Sequence, residues 1–170
     1  MASSPSERFR IEPLGNQHDR GAFSCGVQSL DRYFHAQASQ DSRRRIASCF
    51  VLVMHDGAVA GYYTLSATSV LLVDLPPPVS KKLPRYPAVP ATLLGRLAVD
   101  QRYRGRQLGE SLLFDAFSRT LRSDIASFAF VVDAKDATAR AFYERYGFMV
   151  LTGSGRRMFK PMSEIAALFA

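Results

Sequence analysis

The chain has 170 residues, 47% apolar and 22% charged, long enough to enclose a hydrophobic core as one domain without disulfides or a structural metal. Two cysteines, Cys25 and Cys49, and three histidines with no CxxC or HxxxH spacing exclude a disulfide framework and leave no metal site expected. Eighteen arginines and four lysines against fifteen acids give a net charge of +7, which fits either a polyanionic partner or a generally arginine-rich proteome.

The first ten residues carry no apolar h-region, and no apolar run approaches the ~18 residues of a membrane span. A cytoplasmic, reducing location without a membrane is therefore expected. Residues 1–7 read as a disordered tip, because Ser3, Ser4, Pro5 and Ser6 offer nothing to bury. Residues 8–14 alternate around Phe9 and Ile11 as a first strand. Val27, Leu30, Phe34 and Ala38 recur at three- and four-residue intervals, which predicts a helix, and the polar residues 40–45 read as a loop. The apolar run 46–54, the turn signal His55-Asp56-Gly57 and the run 59–70 predict a β-hairpin. Pro76, Pro77, Pro78, Pro84, Pro87 and Pro90 exclude a central strand or an uninterrupted helix, so residues 74–90 read as a long stiff loop.

The second half is more regular. Residues 92–99 predict a strand, and Leu108, Leu112, Leu113, Ala116, Phe117 and Leu121 mark one face of the next helix. Residues 128–132 predict a strand ending at Asp133. Asp136 can cap a helix over 137–146 that Gly147 stops. Residues 148–151 and 157–160 predict short closing strands around Gly153-Ser154-Gly155. The order of elements makes the fold α/β.

Chemistry concentrates in two segments. In Leu97-Ala98-Val99-Asp100-Gln101-Arg102-Tyr103-Arg104-Gly105-Arg106-Gln107-Leu108-Gly109 a strand runs through a basic, glycine-containing turn into a helix. Backbone N–H groups at such a start lack intrahelical partners and face the positive end of the helix dipole, which suits a pyrophosphate. A plain strand–helix connection with solvated arginines is the alternative. The second segment, Ala139-Arg140-Ala141-Phe142-Tyr143-Glu144-Arg145-Tyr146-Gly147-Phe148, is an amphipathic helix. Its Phe142 and Tyr146 suit packing, and Tyr143 is either a core hydroxyl or a proton donor.

Together and in this order the two segments resemble the GNAT acetyltransferase superfamily. Its coenzyme A pyrophosphate pattern, Arg/Gln-x-x-Gly-x-Gly/Ala, is matched by Arg104 through Gly109, and its Ala-x-x-Phe-Tyr-x-x-x-Gly-Phe pattern by Ala139 through Phe148. The resemblance covers the chain from about Phe9 to Pro161. Phe23-Ser24-Cys25-Gly26, Leu30-Asp31-Arg32-Tyr33-Phe34, Gly61-Tyr62-Tyr63-Thr64-Leu65-Ser66, Leu83-Pro84-Arg85-Tyr86-Pro87 and Leu94-Gly95-Arg96-Leu97-Ala98-Val99-Asp100 look like one branch, the toxins of bacterial type II toxin–antitoxin pairs.

That resemblance implies a GNAT fold, with a central mixed sheet of six to seven strands and about four helices in one domain. It also implies acetyl-CoA as co-substrate, acetylation of the free α-amine of aminoacyl-tRNA, and a block of translation. The expected partners are a ribbon–helix–helix antitoxin, through which the complex meets operator DNA, and a second copy of the chain in a homodimer. The backbone N–H of Val99 is the expected polariser of the acetyl carbonyl and Tyr143 the expected general acid. The cofactor-binding set is Leu97, Ala98, Val99, Arg104, Gly105, Arg106, Gln107, Leu108, Gly109, Asp133, Asp136, Ala139, Phe142 and Tyr146. The tRNA-facing set is Arg43, Arg44, Arg45, Lys81, Lys82, Arg85 and Arg96. Aminoacyl specificity is expected around the proline-rich loop and Tyr62-Tyr63.

Two positions depart from the pattern. Gln107 replaces the middle glycine: if that position needs φ > 0 or a bare Cα against phosphate, glutamine there weakens cofactor binding, but because Gln107-Leu108-Gly109-Glu110 reads as a helix start we expect it in the first helical turn with an ordinary φ. Asp136 stands where relatives often carry asparagine. His18, His35 and His55 suit packing or solvated roles, so no general base is assigned. Two rival functions stay open: a GNAT enzyme of a small amine or protein N-terminus, and a non-catalytic acyl-CoA-binding relic.

Overall fold

The structure, a computed structural model, describes residues 8–153 and 155–170. The tip expected at residues 1–7 and Ser154 of the closing turn lie outside the described residues. Strand β1 (Phe9–Pro13) is followed by α1 (Gln28–Arg32), a π-helical turn (Tyr33–Gln37) and α2 (Ala38–Arg43). The wider turn lets the adjacent Tyr33 and Phe34 both point inward, where both are buried.

The helical path thus continues through residues expected to form a loop. Asp41 explains this: its carboxylate accepts from the Tyr33 hydroxyl and the Gln37 amide, each at 2.9 Å, and its carbonyl accepts the Ile46 N–H at 2.9 Å. A polar residue that looks solvated in sequence is an internal fastener.

Strands β2 (Ser48–Met54) and β3 (Val59–Leu71) form the expected antiparallel hairpin, in register from Ser48↔Leu65. Gly57 supplies the left-handed residue of the turn, at φ +91°. The proline-rich stretch holds a 3₁₀ turn (Leu72–Asp74), the single turn α3 (Pro77–Ser80) and the beginning of β4 (Ala88–Val99). Prolines suit a first helical turn, where their missing N–H has no intrahelical partner.

Strand β4 contradicts the expectation that proline bars a strand before residue 92. Pro90 precedes the β4–β5 ladder, which starts at Ala91↔Ala129, and uses only its carbonyl, accepting the Phe128 N–H at 2.8 Å. A 3₁₀ turn (Gln101–Tyr103) then leads to α4 (Leu108–Arg122), β5 (Ala129–Asp133), α5 (Ala137–Arg145), β6 (Met149–Val150), β7 (Arg157–Pro161) and α6 (Met162–Leu168). Helix α6 has no counterpart in the sequence reading. Its buried Met162 and Ile165 make only one three-residue interval, too little to show a period.

The strands form a seven-stranded mixed sheet in the order β1-β2-β3-β4-β5-β7-β6. Pairs β1–β2, β2–β3, β5–β7 and β6–β7 are antiparallel, and β4–β5 is parallel. The chain forms two compact units: residues up to Leu65 with Arg96–Ala116, and Ser66–Gly95 with Phe117–Ala170. In the first, Phe23, Tyr33, Phe34, Cys49, Val51, Val53, Tyr62 and Ala98 make one apolar cluster. In the second, Val70, Leu75, Val89, Ala91, Ala129, Val131, Leu151 and Phe159 make another. At about 25 cal/mol per Å² of apolar surface, such clusters supply the main stabilisation of each unit.

Candidate active site

The first unit carries the turn that sequence marks for phosphate. Leu97, Ala98 and Val99 end β4, with Ala98 buried and its neighbours half-buried. A side chain at Gly61 would lie 3.0 Å from the Ala98 carbonyl and 2.9 Å from Leu112 Cδ1, so only glycine lets β3 approach there. Beyond the strand, Arg104 is extended, Gly105 has φ +79° and Gln107 has φ +60°. Helix α4 begins at Leu108, which is buried, and Gly109 follows inside its first turn.

The expectation for Gln107 is thereby corrected: it precedes the helix in a left-handed conformation. Its carbonyl accepts the Ser111 N–H at 3.2 Å, so it ends the turn while starting the helix's hydrogen bonding. The glycine pattern therefore does mark a backbone need at this position. Left-handed residues interspersed with right-handed or extended ones turn successive N–H groups toward one concavity, an anion-binding nest. The residues present fit a pyrophosphate. Nothing lies within 4 Å of where a Gly105 side chain would stand. A cavity of about 350 Å³ lined by Arg106, Gln107, Glu110, Ser111 and Phe114 adjoins the turn.

The arginines of the turn have distinct jobs. Arg104 donates through Nη2 to the Cys25 carbonyl at 2.5 Å, and the Arg106 guanidinium lies 5.3 Å from the Tyr103 ring centre. Behind them, Asp100 is almost wholly buried. Its Oδ2 accepts the Ser24 N–H at 3.0 Å, and its Oδ1 accepts the Arg102 N–H at 2.9 Å and Nε at 3.0 Å. Burial alone would raise its pKa. The Arg102 guanidinium and the amides of Ser24 and Arg102 outweigh that and hold the carboxyl below the usual carboxylate range. A single aspartate after a strand carries no distinguishing pattern, so Asp100 does not stand out in the sequence.

The second unit carries the other motif. Asp136 caps α5, accepting the Ala139 N–H at 2.8 Å, and Gly147 stops it at φ +85°, both as expected. A side chain at Gly147 would also displace the Lys160 ammonium, whose Nζ lies 2.6 Å from that position. Tyr143 is buried, its ring 5.2 Å from Phe142 and 5.4 Å from Phe148 in edge contacts. Burial, and secondarily the charge of Asp133, push its phenol well above the ordinary range. The hydroxyl has no hydrogen-bond partner among the described residues. Asp133 itself pairs with Arg157 Nε at 3.1 Å across the β5–β7 ladder. Phe142 and Tyr146 are in edge contact at 5.2 Å.

The basic residues divide. Arg43 ends α2, and Arg44 and Arg45 turn away from it, all three exposed. Arg43 is helical, contrary to the loop expected there. Lys81, Lys82 and Arg85 lie on the turn after α3, Lys81, Lys82 and Arg85 all reaching solvent. Arg96 is half-buried in β4, its guanidinium 3.5 Å from the centre of the Tyr33 ring. Tyr62 and Tyr63, expected to shape specificity, are fully buried anchors. Their hydroxyls donate to the Leu30 carbonyl at 2.8 Å and to Asp115 at 2.6 Å. His18 Nδ1 accepts the Gly15 N–H at 2.9 Å, which leaves Nε2–H to donate to Glu12 at 2.7 Å. Among the described residues no group of acids, histidines and cysteines is placed to hold a metal, and no helix is long and apolar enough to cross a membrane.

A mixed sheet with a turn suited to an anion between a strand and a helix is the architecture of an α/β enzyme whose ligand carries phosphate. The chain belongs to the GNAT acetyltransferase family, whose model matches residues 17–148. It is 33% identical over 179 residues to a probable toxin TacT of Sinorhizobium fredii, covering 99% of each chain. It is 37% identical over 139 residues to a tRNA-acetylating toxin of Mycobacterium tuberculosis, covering 81% of this chain and 82% of that one. Among solved structures, AtaT complexed with acetyl-methionyl-tRNAfMet superposes with a TM-score of 0.86 at 27% identity, covering 96% of this chain and 100% of that one. AtaTR bound with AcCoA superposes with a TM-score of 0.81 at 28% identity, covering 95% and 98%.

Proposed function

We propose that this chain, acting as a single GNAT domain, transfers acetyl from acetyl-CoA to the free α-amine of aminoacyl-tRNA and so blocks translation. The observation that carries this reading is the pair of left-handed residues, Gly105 and Gln107, ahead of α4. Two relatives named as toxins, one of them tRNA-acetylating, support the substrate class. The net charge of +7 supports a polyanionic substrate over a polycationic one.

In this mechanism the amides from Gly105 to Gly109 hold the pyrophosphate of acetyl-CoA, with Arg104 and Arg106 adding charge. Leu97 and Ala98 offer strand backbone to the pantetheine amides. The Val99 N–H polarises the acetyl carbonyl. Asp133, Asp136, Ala139, Phe142 and Tyr146 complete the proposed cofactor-binding set. The amine nitrogen bonds to the acetyl carbon, the carbon–sulfur bond breaks, and the thiolate takes the proton of the Tyr143 hydroxyl. The proton released from the amine passes to water and restores the phenol. An aminoacyl ester lowers the basicity of its α-amine, so no dedicated base is required.

The tRNA-facing residues are Arg43, Arg44, Arg45, Lys81, Lys82, Arg85 and Arg96. A ribbon–helix–helix antitoxin neutralises the enzyme and carries the complex to operator DNA, the chain pairs as a homodimer, and the site of action is the cytoplasm. Structures of AtaT with the C-terminus of the antitoxin AtaR, and of a KacTA–DNA complex, support an antitoxin partner.

The test is radiolabelled acetyl transfer to charged tRNA, deacylated tRNA and simple amines. Label on charged tRNA alone is expected. Label on simple amines alone would replace this reading with a small-amine enzyme. Calorimetric binding of acetyl-CoA without any transfer would make the chain an acyl-CoA-binding relic.

A further inference from the structure

We propose that Tyr86, with Lys81, Lys82 and Arg85, forms a stacking platform for an unpaired end of the RNA substrate. The proposal rests on the tRNA reading above and adds to it where a single-stranded segment is held. Of the seven tyrosines, Tyr33, Tyr62, Tyr63 and Tyr143 are buried, and Tyr103 and Tyr146 have arginines over their rings. Tyr86 differs from all of these. It is 62% exposed, and among the described residues no ring or cation covers it.

The backbone under the ring is fixed before any ligand arrives. Pro84 and Pro87 flank it, the Tyr86 N–H donates to the Pro84 carbonyl at 2.8 Å, and the Leu72 N–H donates to the Pro87 carbonyl at 3.1 Å. The Lys82 and Leu83 amides donate back into α3, to Val79 at 3.2 Å and Ser80 at 3.1 Å. An exposed aromatic ring on a rigid turn gives up little conformational freedom on binding.

Along the chain on either side of the ring the charge has one sign. From Leu75 to Val99 the sequence holds no aspartate or glutamate, while Lys81, Lys82 and Arg85 stand exposed within five residues. None of the three forms an ion pair among the described residues. Cations beside a bare ring match a strand that presents phosphates at its edge and base faces between them. A duplex, whose base faces are covered, would use the cations and not the ring.

The experiment titrates the intact protein into deacylated tRNA whose terminal adenosine is replaced by 2-aminopurine, whose fluorescence falls on stacking. The wild-type chain is expected to quench it. Tyr86→Ala should bind roughly five-fold or more weakly with the quench lost, and Tyr86→Phe should keep both. Lys81→Gln with Lys82→Gln should lower the salt slope by about 1.4 while keeping the quench. Acetyl-CoA binding heat, measured in parallel, confirms that each variant is folded.

Equal affinity and quench in Tyr86→Ala would overturn the platform while leaving the tRNA reading intact. Equal loss on a blunt RNA duplex would reduce the surface to general electrostatics and also overturn it. A change in the sedimentation of RNA-free protein, with RNA binding unaltered, would make the face a protein–protein surface and likewise overturn the platform. No binding of tRNA by the wild-type chain would remove the substrate reading itself, and this proposal with it.

Discussion

Asp100 accepts the backbone N–H of Ser24 at 3.0 Å, although 76 residues separate the two. The Gln101 N–H returns a bond to the Ser24 carbonyl at 2.9 Å, and Arg104 reaches the carbonyl of Cys25. The approach to the phosphate turn is thus knitted to the segment before α1. Gly26 belongs to the same contact, since a side chain there would collide with the Gln101 amide.

Asp100→Asn should therefore destabilise the protein by about 2 kcal/mol, the scale of charge-assisted hydrogen bonds lost with little change of volume. The pH dependence has a definite sign. The folded carboxyl sits below its unfolded value, so its contribution is present above about pH 4 and is lost as the pH falls through the lower folded value. The gap in melting temperature between wild type and variant should narrow in acid. Parallel curves from about pH 7 to about pH 3 would mean that the carboxylate is not the stabilising group.

Gln107 holds a backbone conformation that costs a residue with a β-carbon about 1–2 kcal/mol, while glycine adopts it freely but loses more entropy on folding. Gln107→Gly is expected to be neutral or more stable by up to about 1 kcal/mol, with acetyl-CoA affinity kept. Gln107→Val should lose about 1 kcal/mol or more, because branching at Cβ worsens the left-handed clash. Denaturant midpoints measure both. A valine variant as stable as wild type would show that the turn is not left-handed in solution.

Tyr143→Phe should lower kcat by about 100-fold or more while leaving acetyl-CoA binding heat unchanged. Burial and the Asp133 charge keep the phenol protonated above its ordinary range, so the tyrosine imposes no falling limb on the rate up to about pH 10. The rate should rise with pH as the α-amine of the acceptor loses its proton. A variant with full turnover would take the general acid role from Tyr143.

Legibility follows how local each cause is. Asp136 and Gly147 are readable because capping and helix arrest depend on a few adjacent residues. The hairpin around Gly57 is readable for the same reason. The φ of Gln107 is legible only through the glycine that the resembled pattern carries there, since the chain's path from the Asp100 clamp to α4 sets it and glutamine itself carries no mark of it. The run of α2 through Gln40 is hidden because Asp41 finds its partners, Tyr33 and Gln37, only once the π turn has formed. The proline in β4 misleads because the rule concerns a missing donor, and Pro90 uses its acceptor. Tyr62 and Tyr63 look alike in sequence as pocket residues, yet both rings are committed to the core.

Arg43, Arg44 and Arg45 offer the most direct measure of tRNA affinity outside the platform. All three are exposed at the end of α2, where the φ of +58° at Arg45 reverses the chain and turns it toward β2. If they meet duplex phosphates, each releases close to one counterion on binding, and the logarithmic salt slope contains about 0.9 for each. Changing all three to glutamate should flatten that slope by about 2.7 and weaken tRNA binding most at low salt. Acetyl-CoA affinity should stay unchanged, because the phosphate turn lies on another part of the sequence, after β4. Filter binding of charged tRNA across a salt series reads the first quantity and calorimetry the second. An unchanged slope would clear α2 of any contact with the nucleic acid and leave the turn after α3 as the basic surface to examine.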